Sequence, residues 1–199
     1  VVPHDHGTHV AGTIAAVNNN GIGVSGVAGG DAANGVKGVK LLSCQIFAPN
    51  PEDPSNDFQG NGEDAIAWGA DNGAVISQNS WGYTYATEEA AAKAGSIEGT
   101  SLAAAIDYFI ETAGKDDAGN QVGPMNGGIV IFASGNSGFA HDPIGKYAPV
   151  LSVGAISPDY TRTYYSNYGD WVDIAAPGGS SDYAHGQVLS TVPGGYGSM

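Results

Sequence analysis

His6-Gly7-Thr8-His9-Val10-Ala11-Gly12 puts an imidazole at the entrance to a run of small residues. Imidazole titrates near neutral pH, so it can take a hydroxyl proton and return it to a leaving amine. A helix of small side chains holds such a ring rigidly and leaves it facing a cleft. His9 lies one helical turn on from His6 and is expected to be structural. The same stretch supports a rival chemistry, because His4, Asp5, His6 and His9 bring several ligand-type side chains close together. No second ligand cluster follows downstream, however, and a zinc-binding helix of the hydrolytic kind would carry His-Glu-x-x-His.

Two later segments stand directly after apolar runs. Ser77-Gln78-Asn79-Ser80-Trp81-Gly82 follows the apolar Ala74-Val75-Ile76. Extended peptide recognition by main-chain pairing needs an accessible strand edge; an ordinary strand and turn with a packed Trp is the alternative. Ala133-Ser134-Gly135-Asn136-Ser137-Gly138 follows Gly128-Ile129-Val130-Ile131-Phe132. A Gly-Asn turn is common in any protein, but this one sits directly after a buried strand and downstream of His6.

The elements that must position these groups alternate in type. Residues 8–17 read as a buried helix. Gly12 costs that helix about 1 kcal/mol against Ala, which points to close packing against a neighbour. Asn18-Asn19-Asn20-Gly21 ends it with residues that tolerate left-handed backbone. Residues 39–47 read as a buried strand, 50–62 as a polar loop, 63–70 as a short helix, and 74–77 as the start of a strand. Residues 100–113 have apolar side chains at helical spacing, with Gly114 just past the end. Residues 128–133, 150–155 and 172–176 are short strands. Strands alternating with helices predict an α/β fold: a parallel sheet with helices on both faces. In such sheets chemistry gathers at the carboxyl ends of the strands. No internal repeat or domain boundary is visible, so residues 1–199 read as one domain.

The chain has 199 residues, of which 42% are hydrophobic, enough for a core. Its 32 glycines are well above the usual ~7% and imply many tight turns. With 20 acidic and 6 basic residues the net charge is −14, which disfavours nucleic acid and anionic lipid as partners. The one cysteine, Cys44, cannot form a disulfide framework; its apolar surroundings in Leu41-Leu42-Ser43-Cys44-Gln45-Ile46-Phe47 predict a buried small hydrophobe. No stretch approaches ~18 apolar residues, so no membrane span is expected. The chain opens at Val1 without a Met and reads as a piece of something longer, in which a removed export signal would leave no trace.

His6-Gly7-Thr8-His9-Val10-Ala11-Gly12 resembles the histidine signature of the subtilisin-like serine proteases. The resemblance extends from about Asp5 to Met199. It takes in Ser80-Trp81-Gly82, Ala133-Ser134-Gly135-Asn136, the Val153-Gly154-Ala155 strand end, Ser166-Asn167-Tyr168-Gly169, and Asp173-Ile174-Ala175-Ala176-Pro177-Gly178. It implies a subtilisin-like three-layer fold and a secreted or cell-envelope serine endopeptidase working on peptide or protein substrates. By resemblance His6 is the general base, and Asn136 donates to the oxyanion of the tetrahedral intermediate. Ser80, Trp81 and Gly82 form one wall of the primary specificity pocket; Ala133, Ser134 and Gly135 form the other. Trp81 and Tyr83 suggest an apolar residue at the cleavage site.

The family pattern is incomplete at both ends. Its triad runs Asp, His, Ser, with the Asp on a strand well upstream of the His. Only five residues precede His6, and Asp5, adjacent in sequence, cannot be that Asp. Ser190-Thr191-Val192-Pro193-Gly194 matches the segment before the nucleophile. Tyr196-Gly197-Ser198-Met199 then fills the intervening stretch, leaving the nucleophile beyond Met199; a rival alignment makes Ser198 the nucleophile. The 199-residue chain is therefore expected to be inactive alone and to need the rest of its parent polypeptide. The resemblance also implies a structural calcium, not required for chemistry, on carbonyls of Val17, Ile22 and Val24 and a side-chain oxygen of Asn19, with Asn20 as the alternative. A helix-capping Asn/Gly turn would read the same way. Two further readings stay open: a non-catalytic relative that binds peptide in the same cleft, and a metalloenzyme built on His4, His6 and His9.

Overall fold

A computed structural model describes residues 3–53 and 56–199. In chain order the elements are α1 (Asp5–Ala15), β1 (Gly30–Asp31), β2 (Val36–Lys37), β3 (Phe47–Ala48), β4 (Phe58–Gln59), α2 (Gly62–Asp71), β5 (Ile76–Asn79), α3 (Glu88–Ala94), α4 (Ser101–Thr112), β6 (Ile129–Ala133), β7 (Leu151–Ile156), β8 (Ile174–Pro177), β9 (Leu189–Val192) and β10 (Gly195–Ser198). The chain divides into two compact units. One takes Val1–Asn61 with Gln187–Met199, the other Gly62–Gly186.

In the first unit α1 packs on β9. The glycine that the sequence marked as a close approach is the contact: a Cβ on Gly12 would lie 2.1 Å from Thr191 Oγ1 and 2.5 Å from Ser190 Oγ. Those hydroxyls lace the helix to the strand. Ser190 Oγ donates to the His9 carbonyl at 2.8 Å, and Thr191 Oγ1 to the Thr8 carbonyl at 2.9 Å. β9 and β10 form an antiparallel hairpin in which Val192 pairs with Gly195 and Leu189 with Ser198. Its two-residue turn is Pro193-Gly194. Proline presets the first turn position, and Gly194 takes the positive φ of +83° that the second demands. Sequence patterning read this stretch only as a motif and missed the hairpin.

The strand expected over 39–47 is a correction. Only its end, Phe47–Ala48, is a strand, paired antiparallel with Phe58–Gln59. Val39, Leu41 and Leu42 are each about half exposed and Cys44 is exposed too, not a buried hydrophobe. A buried strand needs ladder partners for its N–H and C=O groups. Val39 N–H reaches the Ala28 carbonyl at 3.0 Å and the Ile46 carbonyl accepts the Gly60 N–H at 2.7 Å, but no strand ladder is formed over 39–46 among the described residues, so the apolar composition does not produce a buried strand.

The second unit is built on a sheet of four strands among the described residues, in the order β5-β6-β7-β8, all parallel. This is the α/β arrangement that the alternation of elements predicted. Helix α4 starts at Thr100, whose Oγ1 accepts the Ala103 N–H at 3.3 Å. Its Leu102, Ala103, Ala105, Ile106 and Phe109 recur at helical spacing and are buried. They form one core with Ile66 of α2, Val130 and Phe132 of β6, Ile144 and Val150. Each fully buried large side chain here contributes roughly 1.5–3 kcal/mol. The backbone also comes close: a Cβ on Gly128, just before β6, would meet the Phe109 ring at 2.5 Å. Helix α3 was not anticipated. Its signal was present in Thr87, which caps Ala90 N–H at 3.2 Å and precedes Glu88 and Glu89, both favourable at a helix N-terminus.

Candidate active site

His6 lies in the first turn of α1, and the start of that helix is closed by residue 4. His4 has extended backbone, and its Nδ1 accepts the His6 N–H at 3.2 Å. The His4 carbonyl accepts both the Thr8 N–H, at 3.1 Å, and Thr8 Oγ1, at 2.9 Å. His9 is buried and its Nε2 meets the Val188 carbonyl at 2.9 Å, the structural role expected of it. His6 itself is an exposed residue. Enough protein still surrounds its imidazole that loss of water, ahead of the like charges of His4 and His9, holds its pKa below the usual 6.5. The neutral, proton-accepting form is thereby favoured.

The rival metal reading finds no support in this geometry. His4 Nε2 pairs with Asp57 at 3.0 Å and His9 Nε2 with a backbone carbonyl. Among the described residues no group of three or more His, Cys, Asp and Glu is arranged to hold a metal ion.

In the second unit the two predicted pocket walls are neighbours. β5 and β6 run parallel with Asn79 paired to Phe132. Ser80-Trp81-Gly82 and Ala133-Ser134-Gly135-Asn136 therefore leave the sheet at the same, carboxyl end. Trp81 is half-buried. Its Nε1 donates to Asn79 Oδ1 at 3.0 Å, its ring meets Phe132 edge-on at 5.1 Å, and it packs against the core. Ser80 Oγ accepts from Gln78 Nε2 at 2.7 Å, and Gly82 is exposed, with the buried Ile144 near the place its Cβ would take.

The loop after β6 is braced from one side by a residue that sequence reasoning treated as part of an ordinary turn. Asn167 is buried, and its Oδ1 accepts the N–H groups of Ser137 at 3.1 Å and Phe139 at 2.9 Å. Its own N–H donates to the Gly135 carbonyl at 3.1 Å. Ser134 is buried too; its N–H reaches the Val153 carbonyl at 2.9 Å and its Oγ the Asn167 carbonyl at 3.3 Å. Asn136 sits in this rigid loop with an exposed side chain that has no hydrogen-bond partner among the described residues. Its amide is free to donate outward. The available signal for the brace was Asn167 itself, a short polar residue in the turn Tyr165-Ser166-Asn167.

The loop expected to hold calcium has oxygen donors of the right kind. Val17 and Ile22 are exposed, and Asn19 takes a left-handed φ of +54°. Asn19 Nδ2 donates to Asp31 Oδ1 at 3.0 Å, which leaves its Oδ1 available, whereas Asn20 Oδ1 is occupied by the Ile22 N–H at 2.9 Å. Asn18 Oδ1 is buried with no partner among the described residues. An orphaned buried oxygen is costly unless something donates to it or coordinates it, and neutral oxygens suit a hard cation. The residues present fit such an ion.

Fold and strand-end loops together define an α/β protein with its polar groups gathered where parallel strands end. The sequence pattern described as the Subtilase family matches residues 3–198, and the chain belongs to that family. It is 31% identical over 177 residues to the thermophilic serine proteinase of Bacillus sp. (strain AK1), covering 88% of this chain and 34% of that protein. It is 36% identical over 196 residues to alkaline elastase YaB of Bacillus sp. (strain YaB), covering 98% and 40%. The crystal structure of the psychrophilic subtilisin-like protease Apa1 from Pseudoalteromonas sp. AS-11 superposes with a TM-score of 0.63 at 26% identity, over 94% of this chain and 34% of that one. The chain thus spans well under half the length of these relatives.

Proposed function

We propose that this chain is the larger part of the catalytic machinery of an extracytoplasmic serine endopeptidase that cleaves peptide bonds through an acyl-enzyme. His6 is the general base. It takes the proton of an attacking serine hydroxyl and delivers it to the leaving amine. Asn136 donates its side-chain N–H to the oxyanion. The strand ends at Ser80, Trp81, Gly82 and at Ala133, Ser134, Gly135 hold the substrate backbone and flank its side chain at the cleavage site. The observation that carries this reading is the pair of parallel strands β5 and β6 presenting both segments at one end, with the Asn136 amide unengaged. The low pKa of His6 supports it, because a base must be unprotonated to act.

No residue of the 199 is assigned as the triad Asp or as the nucleophile. Asp5 lies in α1 rather than on a strand, and Ser198 lies in β10, paired with Leu189. The chain alone is therefore proposed to be inactive, and the rest of its parent polypeptide to supply both groups. Calcium, where bound, would be held by carbonyls of Val17, Ile22 and Val24 with Asn19 Oδ1, and Asn18 Oδ1 joins that set. It would tie the loop after α1 and take no part in bond cleavage.

The test uses the parent protein with a fluorogenic peptide. His6→Ala should abolish turnover. Asn136→Leu should lower kcat by about 10²–10³ with little change in KM, a magnitude carried over from the same kind of donor in a subtilisin. Tight peptide binding without turnover by the intact parent would establish a non-catalytic binding protein instead.

A further inference from the structure

We propose that His4, held in one tautomer by Asp57, is a positioning residue for His6. It caps the helix that carries this ring and sets its electrical surroundings. The inference rests on the reading of His6 as the base.

The first N–H groups of a helix have no partner within it. Ser, Thr, Asp and Asn usually satisfy them; here an imidazole does so. A backbone N–H can only donate, so His4 Nδ1, 3.2 Å from the His6 nitrogen, must offer a lone pair. Neutral His4 therefore carries its proton on Nε2. That nitrogen lies 3.0 Å from Asp57 Oδ2, an acceptor. One tautomer satisfies both contacts and the other satisfies neither. Asp57 stands directly before β4, which is anchored to β3, so the loop is joined through one ring to the backbone nitrogen of His6. With its carbonyl on Thr8 N–H and Oγ1, residue 4 meets three donors of the first turn.

The arrangement also has an electrical consequence. A hydrogen on His4 Nδ1 would set an N–H against the His6 N–H and lose the cap. A like charge from His4 lowers the pKa of His6. In this unit the titratable groups about His6 are His4, Asp5 and His9 on its own helix and its approach, with Asp57 beyond His4. Asp57 faces His4, and its negative charge opposes the effect.

The tautomers are read directly from ring nitrogen shifts in long-range proton–nitrogen NMR spectra of the 199-residue chain, with no variant needed. His4 is expected as the Nε2–H form when neutral; equal tautomers or a dominant Nδ1–H form would overturn the proposal. His4→Asn keeps a capping acceptor and takes away the ring whose like-charge effect helps to lower the His6 pKa. The His6 midpoint should then rise while the α1 amides keep their protection, and an unmoved midpoint counts against His4. Asp57→Asn should lower the share of the Nε2–H form; an unchanged share would remove Asp57 from the scheme. Turnover by His6→Ala in the parent protein tests the base assignment alone, and these spectra answer independently of it.

Discussion

The carboxamide of Asn167 lies so close to Gly135 that a Cβ on the glycine would stand 2.4 Å from Asn167 Nδ2. Gly135 also has φ +104°, a backbone that side-chain-bearing residues rarely adopt. Gly135→Ala should therefore cost about 1–3 kcal/mol from strain alone, with the collision added. Asn167→Ala should cost a similar amount, because the N–H groups of Ser137 and Phe139 lose their acceptor. Urea unfolding midpoints measure both. In the parent protein each should also reduce kcat by displacing Asn136.

Gly12 offers a contest between two effects. Ala favours the helix by about 1 kcal/mol. The collision with Thr191 Oγ1 and Ser190 Oγ carries an overpacking cost of about 1–3 kcal/mol and breaks hydroxyl bonds to the Thr8 and His9 carbonyls. Gly12→Ala should be destabilising on balance. Thr191→Ala takes away the nearest colliding atom, so Gly12→Ala with Thr191→Ala should lose less stability in thermal unfolding than the two single changes add up to.

The His6 titration has a defined sign. Its folded pKa is lowered from 6.5, first by burial and then by His4 and His9. The unfolded chain therefore takes up this proton first as pH falls. The contribution of His6 to stability is whole above about 6.5 and declines as pH drops through the folded pKa. NMR titration should place the His6 midpoint below 6.5, and the base form should persist into mildly acid solution.

Calcium at millimolar concentration should raise the thermal midpoint of the chain, since a ligand bound only to the folded state stabilises it by mass action. Asn19→Ala and Asn18→Ala should each shrink that shift while changing the midpoint in chelator far less. An unchanged midpoint on calcium addition would leave the loop as an Asn/Gly turn.

Phe109→Ala should cost about 3–5 kcal/mol. The side chain is fully buried and touches Gly128 at the start of β6. Calorimetry or denaturant unfolding gives the value directly.

The elements that could be read from sequence were those whose pattern arises locally. Helix α4 declared itself by apolar spacing and by Gly114 just past its end, and β6, β7 and β8 by short β-branched runs between turns. Gly12 announced a close approach without saying against what. The run over 39–47 misled because apolar composition reports what could be buried, whereas a strand is made by a neighbour's hydrogen bonds. His6 and Asn136 are singled out by motifs, as are the residues around them. Asn167 and His4 were not, because bracing and capping depend on which backbone N–H comes within reach, and a short polar side chain in a turn looks the same whether or not it does so. The contacts of Trp81 were likewise not legible: its indole N–H reaches Asn79 and its ring meets Phe132 edge-on.

The hydroxyls of Ser190 and Thr191 join helical carbonyls 181 and 183 positions away in the chain. Contacts between such distant segments form late, since the intervening polymer must be brought together first. During synthesis the last turn of α1 can be met early by Val27 and Ala28, but the Thr8 and His9 carbonyls beside the imidazole would wait for Ser190 and Thr191 until nearly the whole of this stretch had emerged from the ribosome. A nascent chain halted before residue 188 should have a first helix more readily digested than that of the 199 residues, so this part of the protein acquires its final order as one of the last events of its manufacture.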